Sequence, residues 1–197
     1  MGVDSFLAFS KTGRSGIVFG VDIAKNEIDH ASTRSVERNI SENIKFIEAD
    51  MEELPFEDET FDCCISNGAF CLAPNKEQAF REAFRVLKPG GRISICTSTI
   101  QSAKLPDGIE WPICMRMFIP IEEIKPLCES LGFENVVIDQ ENSEMMFELE
   151  EDEEINELNP KRTRIHVGSD EFKHLEKFDM DQLCARVVVY AEKPLNS

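Results

Sequence analysis

Ile44-Lys45-Phe46-Ile47-Glu48-Ala49-Asp50-Met51, then Leu54-Pro55-Phe56, then Phe61-Asp62-Cys63-Cys64-Ile65-Ser66-Asn67-Gly68: this stretch decides the fold of the 197-residue chain. A helical run with Phe80, Phe84 and Leu87 follows, and it closes on Leu87-Lys88-Pro89-Gly90-Gly91-Arg92-Ile93. Three short apolar runs (44–47, 61–65 and 93–97) alternate with turn signals and a helix, which is the order of a parallel α/β sheet. The first two runs end in polar residues, Asp50 and then Ser66-Asn67. In an open parallel sheet, ligands bind at the carboxyl ends of the strands.

Upstream, Ile17-Val18-Phe19-Gly20-Val21-Asp22 is a buried-strand run ending in an acid. Such an acid accepts hydrogen bonds from ribose hydroxyls in dinucleotide folds, or it caps the helix that follows. Residues 25–39 are polar with scattered apolar positions, as in a surface helix, and Phe6, Leu7 and Phe9 before Gly13 suit the tail of another. Between 76 and 87, Ala79, Phe80, Ala83, Phe84 and Leu87 form one helical stripe. It stops at Pro89-Gly90-Gly91, expected to be a short turn into a strand at 92–97. Pro106-Asp107-Gly108 reads as a loop. Trp111-Pro112-Ile113-Cys114-Met115-Arg116-Met117-Phe118 is dense in aromatic and sulfur side chains, fit to cover a sheet face or to line a substrate site. Residues 121–131 are helical by period, with Gly132 as a stop; 136–138 and 185–190 read as strands.

With 42 % hydrophobic residues, a single domain over 1–197 has enough apolar material for a core. No run reaches the roughly 18–20 apolar residues of a membrane span, and the first residues lack a signal-peptide layout. Seven cysteines in irregular positions suit a reducing interior better than a disulfide framework. A formal charge of −17 argues against nucleic acid, whose phosphates need a basic face. The expectation is a cytoplasmic protein with neither membrane nor nucleic-acid partner. Nine acids (Glu141, Glu144, Glu148, Glu150, Glu151, Asp152, Glu153, Glu154 and Glu157) make an acidic excursion at about 141–158, expected to be solvated. His30, His166 and His174 do not fall beside cysteines at metal-ligand spacing, so no metal site is expected.

Taken together, Gly20-Val21-Asp22, Ala49-Asp50-Met51, Leu54-Pro55-Phe56 with Phe61-Asp62, Ser66-Asn67-Gly68 and Phe84-Arg85-Val86-Leu87-Lys88-Pro89-Gly90-Gly91-Arg92 resemble the class I S-adenosylmethionine-dependent methyltransferases. The likeness is greatest to the branch holding the arsenite methyltransferases and the quinone-biosynthesis C-methyltransferases. It implies a three-layer α/β sandwich, Rossmann-like, with a mostly parallel sheet and an antiparallel last strand. It also implies S-adenosyl-L-methionine as cofactor and a small-molecule methyl acceptor. In the family pattern Asp22, with Ile23 beside it, holds the adenosyl ribose. Asp50 receives the adenine amino group, Met51 packs on the ring, and Asn67 and Gly68 hold the methionine moiety. Gly2 matches the last glycine of the family's Gly-rich turn. Cys71, Trp111 and Cys114 are candidates on the acceptor side, and no catalytic residue is singled out.

Two departures matter. The opening strand and most of the Gly-rich turn have no counterpart, so the first strand is expected to be missing between the strands ending at Asp22 and Ser66. Arsenite methyltransferases typically carry Ser-Asn-Cys where this chain has Ser66-Asn67-Gly68. The alternatives are therefore an arsenite methyltransferase using other thiols, and a non-catalytic, truncated methyltransferase-like protein.

Overall fold

The computed structural model of the protein describes residues 2–101, 115–141, 145–148, 163–166 and 180–196. The chain opens with α1 (Val3–Thr12), and then β1 (Val18–Asp22), α2 (Lys25–Glu37) and β2 (Ile44–Glu48) form a parallel pair with its crossover helix. The register runs from Val18 opposite Ile44 to Asp22 opposite Glu48. Helix α2 buries Ile28, Ala31 and Ser35, and Phe6 of α1 packs 5.9 Å from Phe46 of β2. Gly20 makes that packing possible: a Cβ there would stand 2.5 Å from the Phe46 ring.

A second parallel unit follows: β3 (Phe61–Asn67), a 3-10 turn (Phe70–Leu72), α3 (Lys76–Val86) and β4 (Leu87–Ile100). Asn75 caps α3, its side chain accepting from the Gln78 N–H at 3.1 Å. The predicted stripe is buried at Ala79, Phe80 and Ala83, with Val86 completing it. Next come α4 (Ile121–Ser130), β5 (Glu134–Glu141), β6 (Met145–Glu148), β7 (Thr163–His166), α5 (Met180–Leu183) and β8 (Cys184–Glu192). The four-stranded sheet has the order β3-β4-β8-β5, with β8 antiparallel to both of its neighbours. Phe80, Leu87, Ile93, Ile95, Ile124, Val187 and Val189 fill its core. Among the described residues no helix is long and apolar enough to cross a membrane.

Three features depart from the sequence pattern or extend it. Pro89-Gly90-Gly91 is not a free turn: Leu87 lies opposite Phe61 and Arg92 opposite Cys63, so residues 88–91 bulge within a continuous strand. Their partner is the distant C-terminal segment. The Gly90 N–H donates to the Lys193 carbonyl (2.9 Å), and the Lys193 N–H to the Gly91 carbonyl (2.8 Å). Within the acidic excursion, Met145–Glu148 pairs in parallel with Thr163–His166, because Met145-Met146-Phe147 interrupts the charge run; 142–144 and 149–162 lie outside the described residues. Finally, β1 and β3 share no ladder, leaving β1-β2 apart from β3-β4-β8-β5.

Candidate functional site

The carboxyl ends of the strands converge because side chains stitch their loops together. Glu52, just past β2, accepts the Asn75 N–H through Oε1 (2.7 Å), and its carbonyl accepts from Gln78 Nε2 (3.1 Å). The loop carrying Asp50 and Met51 is thereby tied to the start of α3, a few residues beyond Asn67 and Gly68. At the opposite ends of the strands, Phe19 meets Phe56 and Phe61 edge-on at 5.3 and 5.7 Å.

Asp22 is exposed at the end of β1, and its Oδ1 accepts the Ala24 N–H at 2.9 Å. Ala24 is the N-cap residue of α2, so the helix-entry role is real. It engages one carboxylate oxygen, and Oδ2 accepts no hydrogen bond among the described residues. Ile23 follows with 70 % of its surface exposed, an apolar side chain standing at the rim. Asp50 repeats the arrangement on the neighbouring strand: exposed, with Oδ1 accepting the Glu52 N–H at 2.9 Å. Both carboxylates are thus oriented by their own backbone, with an oxygen left over. Met51 is half-buried against the core.

Asn67 is exposed at the end of β3, opposite Cys96. Gly68 holds φ +74°, a left-handed conformation that favours glycine, and its N–H donates to the Cys96 carbonyl at 2.9 Å. A Cβ at Gly68 would meet nothing within 4 Å, so open space lies over this turn. Gly2 precedes α1 with φ +72°, where a Cβ would touch the Phe46 ring at 3.0 Å. It is packed against β2 and α2. Cys71 is buried, its thiol donating to the Gly68 carbonyl at 3.2 Å. Trp111 and Cys114 lie outside the described residues.

Sequence reasoning passed over the support beneath Asp50 and Met51. The segment 54–58, which shows no chemistry in the sequence, is clamped to α3 by Arg85. Its Nη2 donates to the Leu54 carbonyl (2.9 Å), and its Nη1 to the Phe56 carbonyl (2.7 Å) and to Asp58 (2.8 Å). Glu82 takes both Arg85 Nε and Nη2 at 2.8 Å and the Leu54 N–H at 2.7 Å. The Arg85 hydrogen bond holds the Glu82 carboxyl below the usual carboxylate range, against the opposing effect of burial. The i, i+3 spacing of Glu82 and Arg85 was the available signal. Burial pushes the thiols of Cys64, Cys128 and Cys184 up to about 12. Among the described residues no group of three or more His, Cys, Asp or Glu side chains is placed to hold a metal.

A sequence profile described as a methyltransferase domain matches residues 1–148. The chain is 32 % identical over 163 residues to an arsenite methyltransferase of Halobacterium salinarum, covering 79 % of this chain and 41 % of that protein. It is 36 % identical over 88 residues to a ubiquinone/menaquinone biosynthesis C-methyltransferase of Brucella anthropi, covering 45 % and 34 %. The matched segments thus span less than half the length of either relative. Among solved structures, an arsenic(III) S-adenosylmethionine methyltransferase from Chlamydomonas reinhardtii superposes with a TM-score of 0.68 at 20 % identity, over 98 % of this chain and 60 % of that one. A geranyl diphosphate C-methyltransferase from Streptomyces coelicolor, solved with Mg2+, geranyl diphosphate and S-adenosyl-L-homocysteine, gives 0.68 at 16 %, over 98 % and 67 %. These two likenesses establish a Rossmann-like α/β fold.

Proposed function

Since the chain belongs to the methyltransferase-domain family, we propose that it performs, alone or as part of a longer protein, S-adenosylmethionine-dependent methyl transfer to a small-molecule acceptor. The observation that carries this is the pair of exposed, backbone-oriented carboxylates, Asp22 and Asp50, on adjoining strand ends beside the exposed Ile23. The residues fit the cofactor. An ionised carboxylate accepts only, so the unengaged oxygen of Asp22 suits ribose hydroxyls and that of Asp50 suits the adenine amino group. Ile23 and Met51 offer apolar surface for the ring. The open space above Gly68, beside Asn67, suits the methionine moiety.

When bound, S-adenosylmethionine supplies an electrophilic methyl group on a sulfonium. The chain's own part is proximity and orientation, which contribute a large share of the barrier lowering in such displacements. An acceptor that is already nucleophilic needs no protein base, so the lack of an acid–base pair among the carboxylates at this rim is consistent with the reaction. Arsenite is a poor acceptor on this view. A soft metalloid needs accessible thiolates, whereas Gly68 carries no thiol, Cys71 is buried, burial pushes the thiols of Cys64, Cys128 and Cys184 up to about 12, and it raises that of the exposed Cys63 as well.

Calorimetric titration with S-adenosylmethionine tests the assignment on the 197-residue chain and on a form extended upstream by a strand and a Gly-rich turn. Losing a buried polar partner costs about 1–3 kcal/mol. Asp22→Ala and Asp50→Ala should therefore each weaken binding about tenfold in whichever form binds. Binding by neither form, or an affinity unchanged from the parent in both variants, overturns it.

A further inference from the structure

Lys76, the first residue of α3, is buried to 8 % exposure in a protein of net charge −17, yet no carboxylate pairs with it among the described residues. Its ammonium instead donates to the carbonyls of Cys71 (3.1 Å) and Ala73, at the end of the 3-10 turn that follows Gly68. An ammonium has three donors, so one remains. Burial pulls its pKa down from the ordinary lysine value, against the opposing attraction of Cys71 and the Glu52 carboxylate. Across from it, Thr97 of β4 is 6 % exposed, and its Oγ1 has no hydrogen-bond partner among the described residues. Buried hydroxyls are nearly always satisfied, and each exception needs a cause.

Lys76 and Thr97 line the same cleft, together with Ser98 and the apolar Phe70, Phe80 and Ile124. The cleft is small, its enclosed end admitting no more than roughly one water-sized group. Its Thr97 and Ser98 belong to the last part of β4, just beyond Cys96, which pairs with the end of β3 at Asn67. A small apolar pocket with a few converging polar groups is the usual form of a ligand site. The ammonium can only donate and the hydroxyl is free to donate. The atom they share must therefore accept twice, and a negative charge on it would be attracted to the Lys76 ammonium. We propose that Lys76 and Thr97 form a subsite for one oxyanion, a carboxylate-type oxygen of the methyl acceptor. Its assignment to the acceptor rests on the methyltransferase reading; the anion site itself does not.

The test uses sodium formate as the probe, read by thermal melting at constant ionic strength, with formamide as the neutral control. Thr97→Val removes the hydroxyl at nearly constant shape, and Thr97→Ser keeps it. Formate should raise the melting temperature of the parent chain and of Thr97→Ser. Its half-maximal concentration should be at least about fivefold higher for Thr97→Val, a change of roughly 1 kcal/mol in affinity. Formamide should leave all three unchanged. Without formate, Thr97→Val should melt no lower than the parent, because the hydroxyl it removes is unpaired there. A lower melting point for Thr97→Val means that a resident water already satisfies the hydroxyl, and overturns the proposal. An equal response of Thr97→Val to formate, or an equal response to formamide, overturns it as well. S-adenosylmethionine titrations on the same proteins separate the two ideas. Retained cofactor binding without a formate response refutes the oxyanion subsite alone, and a formate response with no cofactor binding by either the 197-residue chain or its extended form refutes the methyltransferase reading.

Discussion

Glu82→Gln is the sharpest probe of how the cofactor-side loops are held. The Glu82 side chain is 10 % exposed and Arg85 is 30 % exposed. The carboxylate accepts two hydrogen bonds from Arg85 and one from the Leu54 N–H. Breaking a buried ion pair from one side costs about 3–5 kcal/mol, and a hydrogen bond to a charged group contributes about 1.5–3 kcal/mol. Arg85 keeps Asp58 and the carbonyls of Leu54 and Phe56 in the variant, which favours the lower range. The expected loss is about 2–3 kcal/mol. At about 2–4 °C per kcal/mol for a chain of this size, the melting temperature should fall by about 4–12 °C. The pH dependence gives a second handle. The folded pKa of Glu82 is depressed, so its contribution is present above the unfolded value of about 4.3 and is lost as pH falls through the folded value. The gap between parent and Glu82→Gln should therefore be full at pH 7 and narrow on acidification below that unfolded value. Chemical denaturation at pH 7 and pH 3, with Arg85→Met and the double variant completing a cycle, measures all of this. A loss under about 0.5 kcal/mol at pH 7, or a gap unchanged at pH 3, would refute the reasoning.

Gly68→Cys should fold, since a Cβ there meets nothing within 4 Å. The φ of +74° should cost it about 1–2 kcal/mol of stability in denaturant titrations. Its gain in arsenite affinity by calorimetry should be small, because the nearest thiol in sequence, Cys71, is buried and turned to the Gly68 carbonyl. A maleimide at pH 8 should modify Cys63 well before Cys64, Cys128 or Cys184, because Cys63 is exposed and the other three thiols titrate near 12. Peptide mass spectrometry of timed samples reads the order, and simultaneous modification would contradict it. Phe19→Ala removes two edge-on ring contacts between β1 and the Phe56–Phe61 pair. It should cost about 2–4 kcal/mol in urea unfolding, the lower part of the range for burying a large aromatic.

The elements with strong local periodicity were legible in the sequence. The α3 stripe, the runs that became β1, β2 and β3, and the polar residues at their ends fall where the pattern put them. Asp22 shows why the site was only partly legible. The pattern offered a ribose ligand or a helix cap, and the geometry allows both, with one oxygen on Ala24 and the other unengaged. What stayed hidden depends on partners far away in sequence. The bulge at 88–91 is decided by Lys193. The segment 54–58, without evident chemistry in the sequence, is decided by Glu82 and Arg85, and the burial of Lys76 by the carbonyls of Cys71 and Ala73. Local propensity carries no information on such pairings, because each rests on a contact that exists only once the sheet has formed.

The break between β1 and β3 should show in the dynamics of the protein. No residue of β1 is fully buried, whereas β4 and β8 contain Leu87, Ile93, Val187 and Val189 at 0–1 % exposure. With no ladder joining the two sheets, the β1-β2 unit is tied to the rest by side chains and single loop hydrogen bonds. These include the Phe19 ring contacts, the links of Glu52 to Asn75 and Gln78, and the Glu82–Arg85 clamp on 54–58. Such ties are weaker than a shared strand ladder, so the two units should open separately, in the manner of cooperative subunits of one domain. Native-state hydrogen exchange should find the paired amides of 18–22 and 44–48 opening at least about 2 kcal/mol more readily than those of 92–100 and 184–192. Weakening the tie by Glu52→Ala should lower protection in the first group and leave the second unchanged. Because Asp22 and Asp50 both sit on the looser unit, the same substitution should weaken S-adenosylmethionine binding without touching a ligand-facing atom. Equal opening free energies in the two groups would show that the Phe19 and Glu52 contacts hold the sheets as one cooperative body, and the predicted coupling would then have no basis.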